Sequence, residues 1–190
     1  MTAEVGEQVT DAELAARFRR DPDQFTAVYD RYFDAIYRYV AGRLDVQAAD
    51  DLAAETFLVA LSRRDRFDPE RGNLRPWLFG IATNIVARHR RTEARHYRAL
   101  ARAGTDRAAD SHENRVVASV AAERVRPQVA WALTTLNQGE RDVLLLLALS
   151  QLSHEEVAEA LGISYGTVGS RLSRARRKLH AALDQEDFNG

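Results

Sequence analysis

Leu152-Ser-His-Glu-Glu-Val-Ala-Glu-Ala-Leu-Gly-Ile-Ser-Tyr-Gly-Thr-Val-Gly-Ser-Arg-Leu-Ser-Arg-Ala-Arg-Arg-Lys-Leu179 is the stretch whose reading decides the fold. Ser153 followed by Glu156 has the spacing of a capping box, which starts a helix. Val157, Ala158 and Leu161 mark one apolar face, and Gly162 stands where that helix should stop. Ser164 can cap a second helix, in which Val168, Leu172, Ala175 and Leu179 fall on one stripe. The reading puts Thr167, Arg171, Arg174 and Lys178 on the opposite stripe, flanked by Ser170 and Arg177. No acidic residue interrupts Tyr165 to Leu183. A short helix, a tight turn and a longer helix with an apolar back and a basic front make a helix-turn-helix, whose second helix suits a DNA major groove. A plain helical hairpin with a solvated basic face is the bland alternative. The cap, the glycine turn and the one-sided charge together favour DNA.

Outward from there, composition narrows the classes. A chain of 190 residues with 45% apolar and 29% charged residues can fold as one or two small globular domains. No apolar run approaches the roughly 20 residues needed to span a bilayer. The N-terminus is acidic (Glu4, Glu7, Asp11, Glu13) and lacks the layout of a signal peptide, so the expected location is cytoplasmic. With no cysteine, disulfides and thiolate metal sites are excluded. The formal net charge is −1, which is low for a protein that holds DNA unaided. Basic charge is instead concentrated at 171–178 and in the 88–102 run of Arg88, Arg90, Arg91, Arg95, Arg98 and Arg102. Such a chain makes local DNA contacts while a partner supplies the rest of the grip.

Upstream, residues 1–22 read as an acidic tail in which a helix could begin at Asp11. Phe25, Val28, Tyr29, Tyr32, Phe33, Ile36, Tyr37 and Val40 follow helical spacing up to Gly42 and read as core. A second helix is expected from about Ala48 to Arg63. A loop follows at Asp68-Pro-Glu-Arg-Gly-Asn73. A third helix starts near Leu74 and carries Trp77, Leu78, Ile81, Ala82, Ile85 and Val86 into the arginine run. From 98 to 127 large apolar residues thin out, which reads as a flexible linker with transient helix at most around 113–125. Helices at Val129–Leu136 and from Gly139 to about Gln151 then lead into the helix-turn-helix, and 185–190 is a tail. The expected fold is all-α, with two small helical domains, 23–97 and 128–184, on a tether.

Three stretches stand out together with the helix-turn-helix: Asp51-Leu52 followed by Glu55-Thr-Phe-Leu58; Phe67-Asp-Pro-Glu-Arg-Gly-Asn-Leu-Arg-Pro-Trp77; and Leu78 to Asn84. Their order and spacing resemble the extracytoplasmic-function (group IV) sigma factors of bacterial RNA polymerase. The likeness covers a sigma-2-like domain at 23–97 and a sigma-4-like domain at 128–184. It implies a non-enzymatic specificity subunit, without cofactor or metal, that binds core RNA polymerase and recognises −35 and −10 promoter DNA. It also implies an anti-sigma factor as a partner. Asp51, Leu52 and Glu55 would then dock on the polymerase. Asn84 would hold a base extruded from the −10 element, with Arg88, Arg90 and Arg91 on phosphates. An amide both donates and accepts, which suits a base edge. Thr167, Ser170, Arg171, Arg174, Arg177 and Lys178 would read the −35 element.

The chain departs from the family pattern at Ala54, Thr83, Ala87 and Gly169. Gly169 replaces a usual lysine or arginine, so −35 readout shifts to Ser170, Arg171 and Arg174. A free-standing helix-turn-helix regulator would explain 128–184 but not Asp51 to Asn84. A metalloenzyme would need paired ligands. His89, His96, His112, His154 and His180 are scattered, and no pair has the i, i+4 spacing of a zinc motif with its glutamate.

Overall fold

Helix after helix is what the apolar spacing demands, and the computed structural model has that form. It describes residues 9–44, 46–70, 72–103 and 127–187, and no strand occurs among them. The N-terminal half comprises α1 (Asp11–Arg20), α2 (Phe25–Ala41), α3 (Val46–Ser62) and α4 (Leu74–Ala103). The C-terminal half comprises α5 (Pro127–Thr134), α6 (Gln138–Ser150), α7 (His154–Leu161) and α8 (Tyr165–Asp187).

Helix α2 turns Val28, Tyr32, Ile36, Tyr39 and Val40 inward. It packs on α3 through Tyr29 and Phe57, whose ring centroids are 5.0 Å apart, and on α4 through an edge-on contact of Tyr39 with Phe79 at 5.4 Å. Such aromatic pairs add to the area they bury. Phe67 and Trp77 pack at 5.0 Å and anchor the start of α4.

Three expected boundaries are corrected. The helix expected to begin at Asp11 does begin there, but it is packed and not part of a tail. Thr10 Oγ1 accepts the Glu13 N–H at 3.3 Å while Glu13 Oε2 accepts the Thr10 N–H at 2.9 Å, a complete capping box. Leu14, Ala15 and Phe18 are buried behind it. Helix α4 continues through the arginine run as expected and reaches Ala103, past the expected domain boundary at 97, because nothing in Arg-His-Tyr-Arg-Ala-Leu breaks a helix. Helix α8 likewise continues through Asp187, past the expected tail boundary at 185. The helix anticipated around 113–125 and the centre of the linker lie outside the described residues.

The two domains are present, yet they do not stand apart. Helix α2 contacts α6, and α4 contacts α7. One continuous apolar cluster runs from Leu14 through Leu78 and Phe79 to Val143, Leu146, Val157 and Leu172. A Cβ added to Gly80 would stand 2.4 Å from the Ala160 carbonyl oxygen, so only glycine lets α4 and α7 approach this closely.

Candidate nucleic-acid and polymerase interfaces

The helix-turn-helix forms as its punctuation dictates. Ser153 Oγ accepts the Glu156 N–H at 3.2 Å, and Glu156 Oε2 accepts the Ser153 N–H at 2.8 Å. Gly162 ends α7 in the left-handed region at φ 61°, ψ 37°, and the Ile163 N–H returns to the Ala158 carbonyl at 3.0 Å. Ser164 Oγ then accepts the Thr167 N–H at 3.2 Å and caps α8. Val168, Leu172 and Ala175 face inward, as their spacing requires.

The basic stripe of α8 needs correction. Counted at 100° per residue, Thr167, Arg171 and Lys178 lie roughly 70–110° from the centre of the apolar stripe, a flank and not the far side. That flank meets α6. The Arg171 Cζ lies 3.0 Å from where a Gly139 Cβ would be. Arg174 Nε is 3.5 Å from Glu140 Oε1, and Lys178 Nζ is 2.7 Å from Glu140 Oε2. Burial alone would raise the Glu140 carboxyl, but Lys178, the Asn137 N–H and Arg174 outweigh it and hold the group below its usual range. The far side of α8 carries Gly166, Ser170, Ser173, Arg174 and Arg177, with Gly169 and Arg176 on the other flank, all exposed. Added Cβ atoms at Gly166 and Gly169 would meet nothing within 4 Å. This open face has short side chains over its first turns and guanidinium groups beyond, so its backbone can approach a groove floor closely. Tyr165, 58% exposed, stands at its leading edge. Helical geometry alone places Ser173 on this face, whereas Tyr165 and Arg176 fall about 50° and 70° from the centre of the apolar stripe and are exposed because no element covers them there.

Helix α4 buries Leu74, Leu78, Phe79, Ala82, Ile85 and Val86 and leaves Asn84 exposed. The Asn84 amide makes no hydrogen bond to any described residue. Arg88, Arg91 and Arg95 follow it at i+4, i+7 and i+11 and are also exposed, forming one stripe. Arg88 is tethered to α3 by an ion pair with Glu55. Arg90 differs from the other three because it turns inward. Its Nη2 donates to the Arg43 carbonyl at 2.6 Å, and burial, with Arg43 and Arg141 nearby, draws its pKa down to about 10.

On α3, Asp51 is exposed and Glu55 half-buried, but Leu52 is only 9% exposed and belongs to the core. Leu58, at 62%, is the leucine on the open side, in line with Gln47, Asp51 and Ala54. The i, i+4, i+7, i+11 count from Gln47 finds this edge; the pairing of Leu52 with Asp51 does not. Among the described residues, no group of three His, Asp or Glu side chains could hold a metal ion, and no helix is long and apolar enough to cross a membrane.

A helix-turn-helix with an open short-chain face, joined to a helical domain bearing an amide-and-arginine stripe, defines a DNA-binding protein of two helical modules. Comparison with known families matches residues 28–96 to Sigma-70 region 2 and residues 128–179 to Sigma-70 region 4. The ECF RNA polymerase sigma factor SigC of Mycobacterium tuberculosis is 34% identical over 165 residues, covering 82% of this chain and 80% of the relative. SigW of Bacillus subtilis, another ECF RNA polymerase sigma factor, is 30% identical over 176 residues, covering 86% and 90%. Among solved structures, CnrH in complex with the cytosolic domain of CnrY superposes with a TM-score of 0.64 at 29% identity, covering 92% of this chain and 97% of that one. The chain belongs to the ECF sigma factors of the sigma-70 family. Its function is that of a sigma factor, an RNA polymerase subunit for promoter-directed transcription initiation. The match over 28–96 sets aside the free-standing regulator.

Proposed function

We propose that this chain is a non-enzymatic promoter-specificity subunit acting in the cytoplasm, with three working faces. The first is the outer edge of α3, where Asp51, Glu55 and Leu58 dock on core RNA polymerase. Carboxylates beside an exposed leucine suit a basic, partly apolar partner helix. The second is the Asn84–Arg88–Arg91 stripe, which takes an extruded −10 base on the amide and flanking phosphates on the guanidinium groups. Arg90 joins it only if it leaves its present contact with Arg43. The third is the α8 face, where Ser170, Ser173, Arg174 and Arg177 address the −35 groove. Thr167 supports the cap, while Arg171 and Lys178 act from the flank. An anti-sigma factor as a partner is supported by CnrH, whose solved structure contains the CnrY cytosolic domain.

The observation that carries the melting role is the exposed, unbonded Asn84 amide at the head of an arginine stripe. Asn84→Ala should leave binding to a −35 duplex unchanged and slow opening of the −10 element about tenfold or more in the presence of core polymerase. Permanganate footprinting or a fluorescent −10 base reads the opening rate. A normal rate would remove the base-capture role. Run-off transcription with core polymerase over a genomic promoter pool identifies the promoter itself.

A further inference from the structure

The start of α8 offers DNA one large side chain. Among residues 165–170, Val168 is buried, and Gly166 and Gly169 have no side chain at all. Thr167 Oγ1 lies 2.8 Å from Ser164 Oγ within the helix cap, and the short Ser170 side chain donates from Oγ to the Thr167 carbonyl at 3.1 Å. Tyr165 remains, 58% exposed, and its hydroxyl makes no hydrogen bond to any described residue. In a helix-turn-helix the first residues of the second helix are the ones that meet base edges. The far-reaching contact at this end therefore falls to Tyr165.

Helix geometry sets the direction of its ring. A helical side chain leans toward the N-terminus of its helix, so the Tyr165 ring reaches back past the start of α8. There it meets the ring of His154, at the start of α7, with centroids 6.1 Å apart and planes tilted by 47°. The covered flank of α8 lies elsewhere, where Lys178 and Arg174 reach Glu140 of α6. Gly169 stands at i+4 from Tyr165, about 40° around the helix. A side chain at 169 would lean back over the ring. Glycine leaves the ring bare, in a place where even an added Cβ meets nothing within 4 Å. His154 thus backs the ring on one side, and nothing covers the other.

We propose that Tyr165 is a specificity-determining residue for the −35 element, its ring packing on the C5-methyl group of a thymine in the major groove. A thymine methyl is read by apolar contact, and no other base presents one there. Tyrosine supplies a large rigid surface for that contact at the cost of only two torsions. A phosphate bond from the hydroxyl alone would orient the helix without reading sequence. His154 is a positioning residue, which limits how far the ring can swing toward α7. The inference rests on the −35 role of α8 and assigns it one base and the side chain that reads it.

The test uses the full chain assembled with core polymerase, on promoter fragments randomised across the −35 element. Sequencing of the bound fraction should show one thymine enriched by the wild type and by Tyr165→Phe. Tyr165→Ala should lose the preference at that position and keep the others. The enriched duplex is then compared with one carrying deoxyuridine in place of that thymine, which removes only the methyl group. Wild type and Tyr165→Phe should bind the deoxyuridine duplex about fourfold more weakly, the worth of one buried methyl, and Tyr165→Ala should bind both equally. Gly169→Gln, which sets a neutral side chain back over the ring, should bring the ratio toward one. Because Tyr165 is exposed, Tyr165→Ala should fold, which circular dichroism checks. A wild-type ratio of one, or a thymine preference that survives Tyr165→Ala, would overturn the assignment. So would a loss in Tyr165→Phe equal to that in Tyr165→Ala, which would mean that the hydroxyl makes the contact. An undiminished ratio in Gly169→Gln would overturn the uncovering role of Gly169. If the wild type binds core yet enriches no −35 sequence, the −35 role of α8 itself fails, an outcome distinct from an enrichment that Tyr165→Ala leaves intact.

Discussion

Glu140→Gln tests how the basic flank of α8 is used. Glu140 is 1% exposed and serves two structures at once. Its Oε2 accepts the Asn137 N–H at 3.1 Å in the capping box of α6, and its two oxygens hold Lys178 and Arg174. Glutamine keeps the cap and loses the charge. A charge-assisted hydrogen bond is worth about 1.5–3 kcal/mol. Lys178 and Arg174 have side-chain exposures of 39% and 47%, so they can turn to water, and the net cost falls to about 1–2 kcal/mol. In a chain of this size that corresponds to a Tm lower by about 3–6 °C. The carboxyl sits below its ordinary 4.5, so its contribution is complete above that pH and disappears as pH falls through the lower folded value. The difference between wild type and variant should therefore be full at pH 7 and shrink on acidification below 4.5. Freed of their counterion, the two cations should also steepen the salt dependence of −35 duplex binding by up to about 0.9 per phosphate gained. Calorimetry at several pH values and a salt titration measure both effects. An unchanged Tm at pH 7 would mean that the ion pairs contribute nothing. Weaker DNA binding would mean that Glu140 aims the cations at phosphate rather than withholding them.

Two further predictions use the same geometry. Gly169→Ala adds a Cβ where nothing lies within 4 Å, so it should stabilise the protein by up to about 1 kcal/mol of helix propensity, read as a higher urea midpoint; a loss of stability would mean that the α8 backbone is not helical there. Leu58→Asp should weaken core polymerase binding at least tenfold in a titration with circular dichroism unchanged, whereas Leu52→Ala should instead lower stability by about 2–4 kcal/mol, because Leu52 is core; equal core affinity for Leu58→Asp and wild type would remove the α3 edge from the docking surface.

Much of this was legible in advance because local rules agree with one another here. Ser153, Glu156, Gly162 and Ser164 each demand one backbone conformation, and all four demands are compatible with a helix-turn-helix. The start of α4 at Leu74 follows similarly from the Asp68–Asn73 turn chemistry. Misses arose where a side chain's neighbour comes from another element. Nothing local to Arg90 distinguishes it from Arg88 or Arg91, and only the end of α2 decides that it turns inward. Leu52 and Leu58 differ by the presence of the rest of the bundle on one side of α3. The α8 flank follows from helix geometry alone, since three residues of offset rotate a side chain by about 300°, not to the opposite face. The Arg43–Asp142 ion pair, buried in the seam between the two halves, spans 99 residues, and no sequence pattern announces it.

That separation has a consequence for how the chain is made. Contacts within the N-terminal half are mostly between neighbouring helices and form rapidly, whereas the seam waits for both halves. At roughly 5–20 residues per second, a ribosome takes several seconds to pass from the end of α4 to the end of α8. In the first part of that interval the newborn N-terminal half presents Arg43, Tyr39 and the groove beside Gly80 with Asp142 and Ala160 not yet synthesised. The half must hold its shape with an uncompensated guanidinium at its margin. Any acidic helix present during translation meets this surface before the protein's own C-terminal half can cover it.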